Sequence, residues 1–103
     1  MEKIIPRIDA DVLMKVAEVL KTIAHPVRLS ILEMLDAHQR LSVSELKTGT
    51  EIEQSLLSHH LIKMKDKGIL RSEREGKNIY YELTDRQIIK IFECMQGCSL
   101  AQP

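Results

Sequence analysis

Apolar side chains in the first third of the chain recur at three- and four-residue steps, which predicts helices. From Asp9 onward Val12, Leu13, Val16, Ala17, Leu20, Ile23 and Ala24 form one such stripe. His25-Pro26 interrupts it, because a residue before proline avoids the helical region. Pro26 then suits the first turn of a second helix, whose apolar content is Val27, Leu29, Ile31, Leu32 and Leu35. A third helix is announced by Ser42 and Glu45, spaced as a capping box, with Leu41 placed to staple onto Leu46. Thr48-Gly49-Thr50 reads as the turn that ends it. A fourth helix spans about 53–67, with Leu56, Leu57, Leu61 and Met64 as its inner face and Gly68 as its stop.

The period then changes to two. Residues 69–74 and 79–83 are β-rich runs on either side of Glu75-Gly76-Lys77-Asn78, which has hairpin chemistry. Thr84-Asp85 can cap a last helix with Ile88, Ile91, Phe92 and Met95 on its stripe and Gly97 at its end. The expected fold is mainly α (α+β): about five helices and a two-stranded β-hairpin, in one domain over 9–97. Residues 1–8, with Pro6 and little periodicity, read as an N-terminal arm, and 98–103 as a C-terminal tail.

Composition narrows the class. At 103 residues, 44% apolar and 29% charged, the chain can bury one modest core and is far from a disordered composition. Formal net charge is zero, so no global field draws it to a polyanion. The distribution matters more: between Gln54 and Tyr81 six basic residues face three acidic ones, while the remainder is acidic. No apolar run has the length of a membrane span or a signal-peptide core, which predicts a cytoplasmic protein. No glycine-rich phosphate loop or nucleophile with an oriented base is present, so an enzyme is not expected.

A short capped helix, a turn, a helix polar at its start and a basic hairpin together make a winged helix-turn-helix. The second helix of that unit enters the major groove with its N-terminal residues at base edges, here Gln54, Ser55, Ser58 and His59. Lys63 and Lys65, farther along, can reach the DNA backbone. Arg71, Arg74 and Lys77 on the wing can contact phosphates across the neighbouring minor groove. The alternative is a winged-helix module for protein interaction that does not bind DNA.

The segments "LKTIAHPVRLSILEML" and "SLLSHHLIKMKDKGILRSEREGKNIYYELTD" resemble the ArsR/SmtB-type transcriptional repressors of bacteria, with Ser58, His60, Leu61, Gly68, Gly76, Tyr80 and Tyr81 at matching places. The resemblance covers roughly residues 10–95. It implies a homodimer packed through the first and last helices, a palindromic double-stranded DNA operator, and release by an inducer. It places His60 on the packed side of the fourth helix and His59 outward. Glu53 departs from the family, where a small hydroxyl residue is common.

His59 and His60 point about 100° apart on a helix and cannot share one metal ion there. The metal sites of many relatives lack their ligands here: "SVSELKTGT" has no cysteine, Asp85 is followed by Gln87, and no histidine lies beyond His60. No cofactor is required on this reading. Cys94 and Cys98, four apart, would sit about 5–6 Å from each other at Cβ on a regular helix. That exceeds the roughly 3.5–4.5 Å of a disulfide, unless Gly97 frees Cys98 from the helix. The pair is the candidate sensor, for thiol redox or sulfur species or for a thiophilic metal or metalloid such as arsenite. Otherwise the two are small apolar side chains without a signalling role.

Overall fold

The structure is a computed structural model that describes residues 3–102. The chain runs α1 (Ala10–Ile23), α2 (Pro26–Ala37), β1 (Leu41–Ser42), α3 (Val43–Thr50), α4 (Gln54–Asp66), β2 (Leu70–Glu75) and β3 (Asn78–Leu83). A 3-10 turn (Arg86–Ile89) then leads into α5 (Lys90–Gln96). Met1 and Glu2 of the expected arm, and Pro103 of the expected tail, lie outside the described residues. Residues 3–8 precede α1 without regular structure.

The core is aliphatic and sits where α2, α3, α4 and the sheet meet. Ile31, Leu32, Leu35, Leu46, Leu57 and Met64 are fully buried, and Ile23, Leu61, Leu70 and Leu83 close the cluster. α3 starts as its sequence specifies: the Ser42 hydroxyl accepts from the Glu45 N–H at 3.1 Å, and the Ser42 N–H donates to Glu45 Oε1 at 3.0 Å. These reciprocal bonds hold the Glu45 carboxyl below its usual range. α4 ends on Gly68 at φ 77°, where the Gly68 N–H donates to Lys65 and the Ile69 N–H to Met64. This double closure is a Schellman motif, and its apolar partners Met64 and Ile69 are both buried.

Three expectations are corrected and one is extended. Thr48-Gly49-Thr50 is not a turn but the last part of α3, and the chain turns at Glu51, a left-handed residue at φ 57°. Gly49 is small for packing: a Cβ there would lie 2.1 Å from Met34 Cε on α2. Leu56 is not on the inner face of α4. It is 48% exposed, and the buried stripe is Leu57, His60, Leu61 and Met64. The hairpin gains a third strand, since β1 pairs antiparallel with β3 in the order β1-β3-β2. Finally, Asp85 alone caps the 3-10 turn, accepting from the Gln87 N–H, while the Thr84 hydroxyl donates to the Ile69 carbonyl.

α1 is set apart from this core. Only Thr22 and Ile23 of its residues are buried, and Val12, Leu13, Val16 and Leu20 are each 44–49% exposed. The radius of gyration is 16.2 Å, against about 13 Å for a compact chain of this length. The apolar stripe legible in the sequence is therefore real but is left largely uncovered by the described residues. It opens onto a groove of about 490 Å³ lined by Val12, Val16, Leu20, Ile69 and Ile88.

Candidate nucleic-acid interface

α3 and α4 pack on α2 and leave one long side of α4 in solvent. Gln54, Ser55 and His59 are exposed and Ser58 is half-buried, while Leu57, His60, Leu61 and Met64 hold the opposite side in the core. The buried positions follow the i, i+3, i+4, i+7 rule, so the polar positions between them are forced outward. Ser55 donates its hydroxyl proton to Glu53 Oε1 at 2.7 Å. Glu53 occupies the cap position of α4 without capping it through its side chain.

The wing is built from β2 and β3 around Gly76, which takes φ 60° at the first position of a two-residue turn, with Lys77 at the second. Alternation along a strand decides where each cation points. Arg74 pairs with Ile79 and lies on the same sheet face as the buried Leu70, Tyr81 and Leu83, the face toward α4. Arg71 lies on the other face, where its Nε donates to Glu82 Oε1 at 2.5 Å across the strand pair. Lys77 sits at the tip and reaches a cleft of about 300 Å³ shared with Ser44, Gln54, Ser58 and Asn78.

Of the nine DNA-contact residues expected, the structure therefore gathers Gln54, Ser58 and Lys77 around one cleft. Ser55 and His59 lie beside it on the exposed face of α4. Lys63 is exposed two turns along α4, and Arg71 is held away on the far face of the wing. Ser44 and Asn78 are additions that no residue pattern marked.

The angle of the wing is fixed from its far side. Arg40 Nη2 lies 2.6 Å from Glu75 Oε2, and the guanidinium sits 3.9 Å from the centre of the Tyr80 ring. The Arg40 hydrogen bond holds the Glu75 carboxyl below its usual range. With the Ser42↔Tyr80 pairing of β1, this ties both strands of the wing to the segment before α3.

His60 is 4% exposed, and its Nδ1 accepts from Arg28 Nε at 3.0 Å. It is a hydrogen-bonded interior residue, as expected, and His59 points outward. Cys94 is exposed on α5. Cys98 lies beyond the Gly97 cap in extended backbone at φ −91°, so helical spacing does not govern the pair. Among the described residues no three of His, Cys, Asp and Glu in one chain are grouped to hold a metal ion. No helix there is long and apolar enough to cross a membrane.

Residues 23–73 match the family model of a helix-turn-helix domain. The chain is 38% identical over 79 residues to the transcriptional repressor PagR of Bacillus anthracis, covering 77% of this chain and 79% of that protein. The PagR crystal structure superposes with a TM-score of 0.75 over 84% of this chain and 99% of PagR. The repressor SmtB of Mycobacterium tuberculosis is 35% identical over 81 residues, 79% of this chain and 59% of that protein. The homodimeric winged helix-turn-helix DNA-binding domain of a possible ArsR-family regulator from Mycobacterium bovis superposes with a TM-score of 0.73 at 30% identity, over 84% of this chain and 80% of that one.

Proposed function

The chain belongs to the ArsR/SmtB-type family of winged helix-turn-helix transcriptional regulators, and on that footing we propose that it is a cytoplasmic repressor that binds a palindromic operator as a homodimer. The observation that carries the reading is the cleft in which Gln54 and Ser58 of α4 meet Lys77 of the wing. α4 lies in the major groove, where Gln54 reads adenine through its paired donor and acceptor and Ser55, Ser58 and His59 reach neighbouring edges or phosphates. Arg74 and Lys77 contact backbone across the minor groove, and Lys63 does so along α4. Arg71, paired with Glu82, serves the wing first. The second copy covers the exposed apolar stripe of α1 and the groove beside it, with the last helix contributing.

Two substitutions test this reading through different outcomes. Ser58→Ala should weaken operator binding by about 0.5–1.5 kcal/mol, the worth of one hydrogen bond, and leave binding to random DNA unchanged. Arg74→Ala should weaken binding to both and lower the slope of log affinity against log salt by about 1. Fluorescence anisotropy with labelled upstream DNA and a random fragment reads both. Unchanged affinity in both variants would show that α4 and the wing do not face DNA.

Release by an inducer at Cys94 and Cys98 completes the proposal. A peroxide-class oxidant would take two electrons and two protons from the thiols, join the sulfurs and leave as water. A soft metal or arsenite would instead bind the thiolates. Cys94→Ser and Cys98→Ser proteins should bind operator normally when reduced and no longer release it on mild oxidation or arsenite addition. Release identical to that of the native chain would remove the cysteines from sensing.

A further inference from the structure

Arg28 makes two bonds that join elements the DNA-binding reading treats separately. Its Nη1 donates to the Thr22 carbonyl at 2.7 Å, and its Nε donates to His60 Nδ1 at 3.0 Å. Thr22 lies in the last turn of α1, whose carbonyls have no partner within the helix, so a guanidinium there satisfies an orphan acceptor and the negative helix end together. His60 lies in the middle of α4, on its buried side. A single planar side chain therefore ties the end of α1 to the recognition helix. Lys67, just past α4, approaches Glu18 of α1 at 3.3 Å and makes a second, exposed link between the same two helices.

The state of His60 follows from this contact. An imidazole that accepts at Nδ1 is neutral and carries its proton on Nε2. That Nε2 is buried and has no hydrogen-bond partner among the described residues. The ring is further enclosed by the His25 ring from the α1–α2 link, 4.5 Å away, and by His59 from α4 itself, at 5.9 Å. The one hydrogen bond that fixes the ring is the contact of Nδ1 with Arg28.

We propose that Arg28 and His60 are positioning residues for DNA reading: through their bond the end of α1 sets the angle of α4, and so the angle at which each recognition helix of a dimer stands to the other. This rests on α1 lying in the dimer interface, as proposed above. Neither residue touches DNA. Both act by fixing the helix that carries Gln54, Ser58 and His59.

Protonation breaks the link. A proton on Nδ1 removes the acceptor and sets an imidazolium against the guanidinium. Burial, together with charge on His25, Arg28 and His59, holds His60 below its ordinary value of 6.5. The sign follows from that direction: the bond is intact at neutral pH and is lost as pH falls from about 6.5 through the lower folded value. The loss is read against a variant that lacks only His60.

The test uses Arg28→Lys and His60→Asn in the full chain. Lysine keeps the charge but cannot serve both acceptors, whereas the asparagine oxygen occupies the place of Nδ1 and does not titrate. Arg28→Lys should bind operator about tenfold more weakly, the size expected for one lost charge-assisted bond. It should remain a folded dimer by sedimentation and keep its affinity for random DNA. His60→Asn should bind as the native chain does at pH 7.5 and should lack the affinity loss expected of the native chain as pH falls below about 6.5. Native operator affinity in Arg28→Lys, or an unchanged acid loss in His60→Asn, would overturn the positioning role. If Arg28→Lys does not fold, the His60→Asn profile decides. Failure of the native chain to bind any DNA would overturn the proposed function, and this role with it.

Discussion

A Val16→Glu protein should sediment as a monomer and bind operator at least about a hundredfold more weakly than the native chain. A dimer that engages two half-sites gains roughly 10²–10⁴ over one arm alone, because the second contact forms at high effective concentration. In the dimer proposed above that gain rests on α1, whose residues Val12, Leu13, Val16 and Leu20 are close to half exposed in the isolated chain while their neighbours on α2 are in the core. A helix with one apolar stripe and no partner is stable only when that stripe is covered. A carboxylate in its middle would be desolvated without a counter-ion on association. Retention of a native dimer by Val16→Glu would place the interface elsewhere and leave the apolar face of α1 unexplained.

The second large effect is on stability. Leu57→Ala should cost about 2–5 kcal/mol, since Leu57 is fully buried on the inner side of the recognition helix. At about 4–8 °C per kcal/mol for a domain of this size, the melting temperature should fall by about 10 °C or more. Leu56→Ala, one residue earlier, should cost no more than about 0.5 kcal/mol, because Leu56 is 48% exposed. Thermal melts of the two proteins side by side test the helix orientation directly. Equal losses would mean that α4 is rotated from the placement described here, and the assignment of Gln54, Ser58 and His59 to its outer face would go with it.

The contrast between these neighbours also shows what the sequence could and could not say. The inner face was read by apolar letter, which chose Leu56. The spacing rule alone would have chosen His60, because 57, 60, 61 and 64 complete the stripe. A histidine can occupy that place only because Arg28, 32 residues earlier, supplies its hydrogen bond, and a pairing at that distance has no local signature. The capping box at Ser42 and the stop at Gly68 were legible because their partners lie within five residues. The turn at Glu51 was not. Gly49, the residue that suggested a turn, is glycine to admit Met34, and Glu51 adopts a left-handed conformation that its side chain does nothing to favour.

The same holds for the site. Helix and wing were recognisable as a unit, and the cleft of Gln54, Ser58 and Lys77 follows from their order in the chain. Arg71 and Arg74 were grouped by charge, although an odd spacing of three along a strand sends them to opposite faces. β1 was invisible because two residues carry no period. It exists through its pairing with Tyr80 and Tyr81, about forty residues on.

That third strand changes which edge of the sheet is open. With β3 in the centre and β1 too short to template another chain, β2 is the one long free edge. Its sequence, LRSERE, alternates charge of both signs almost to the tip. A charged edge resists pairing with a second sheet, a standing hazard for an uncovered strand. In the DNA-binding role proposed above, Arg74 thus does two jobs with one charge: it meets the phosphate backbone when DNA is bound, and its charge on β2 opposes edge-to-edge pairing when DNA is absent.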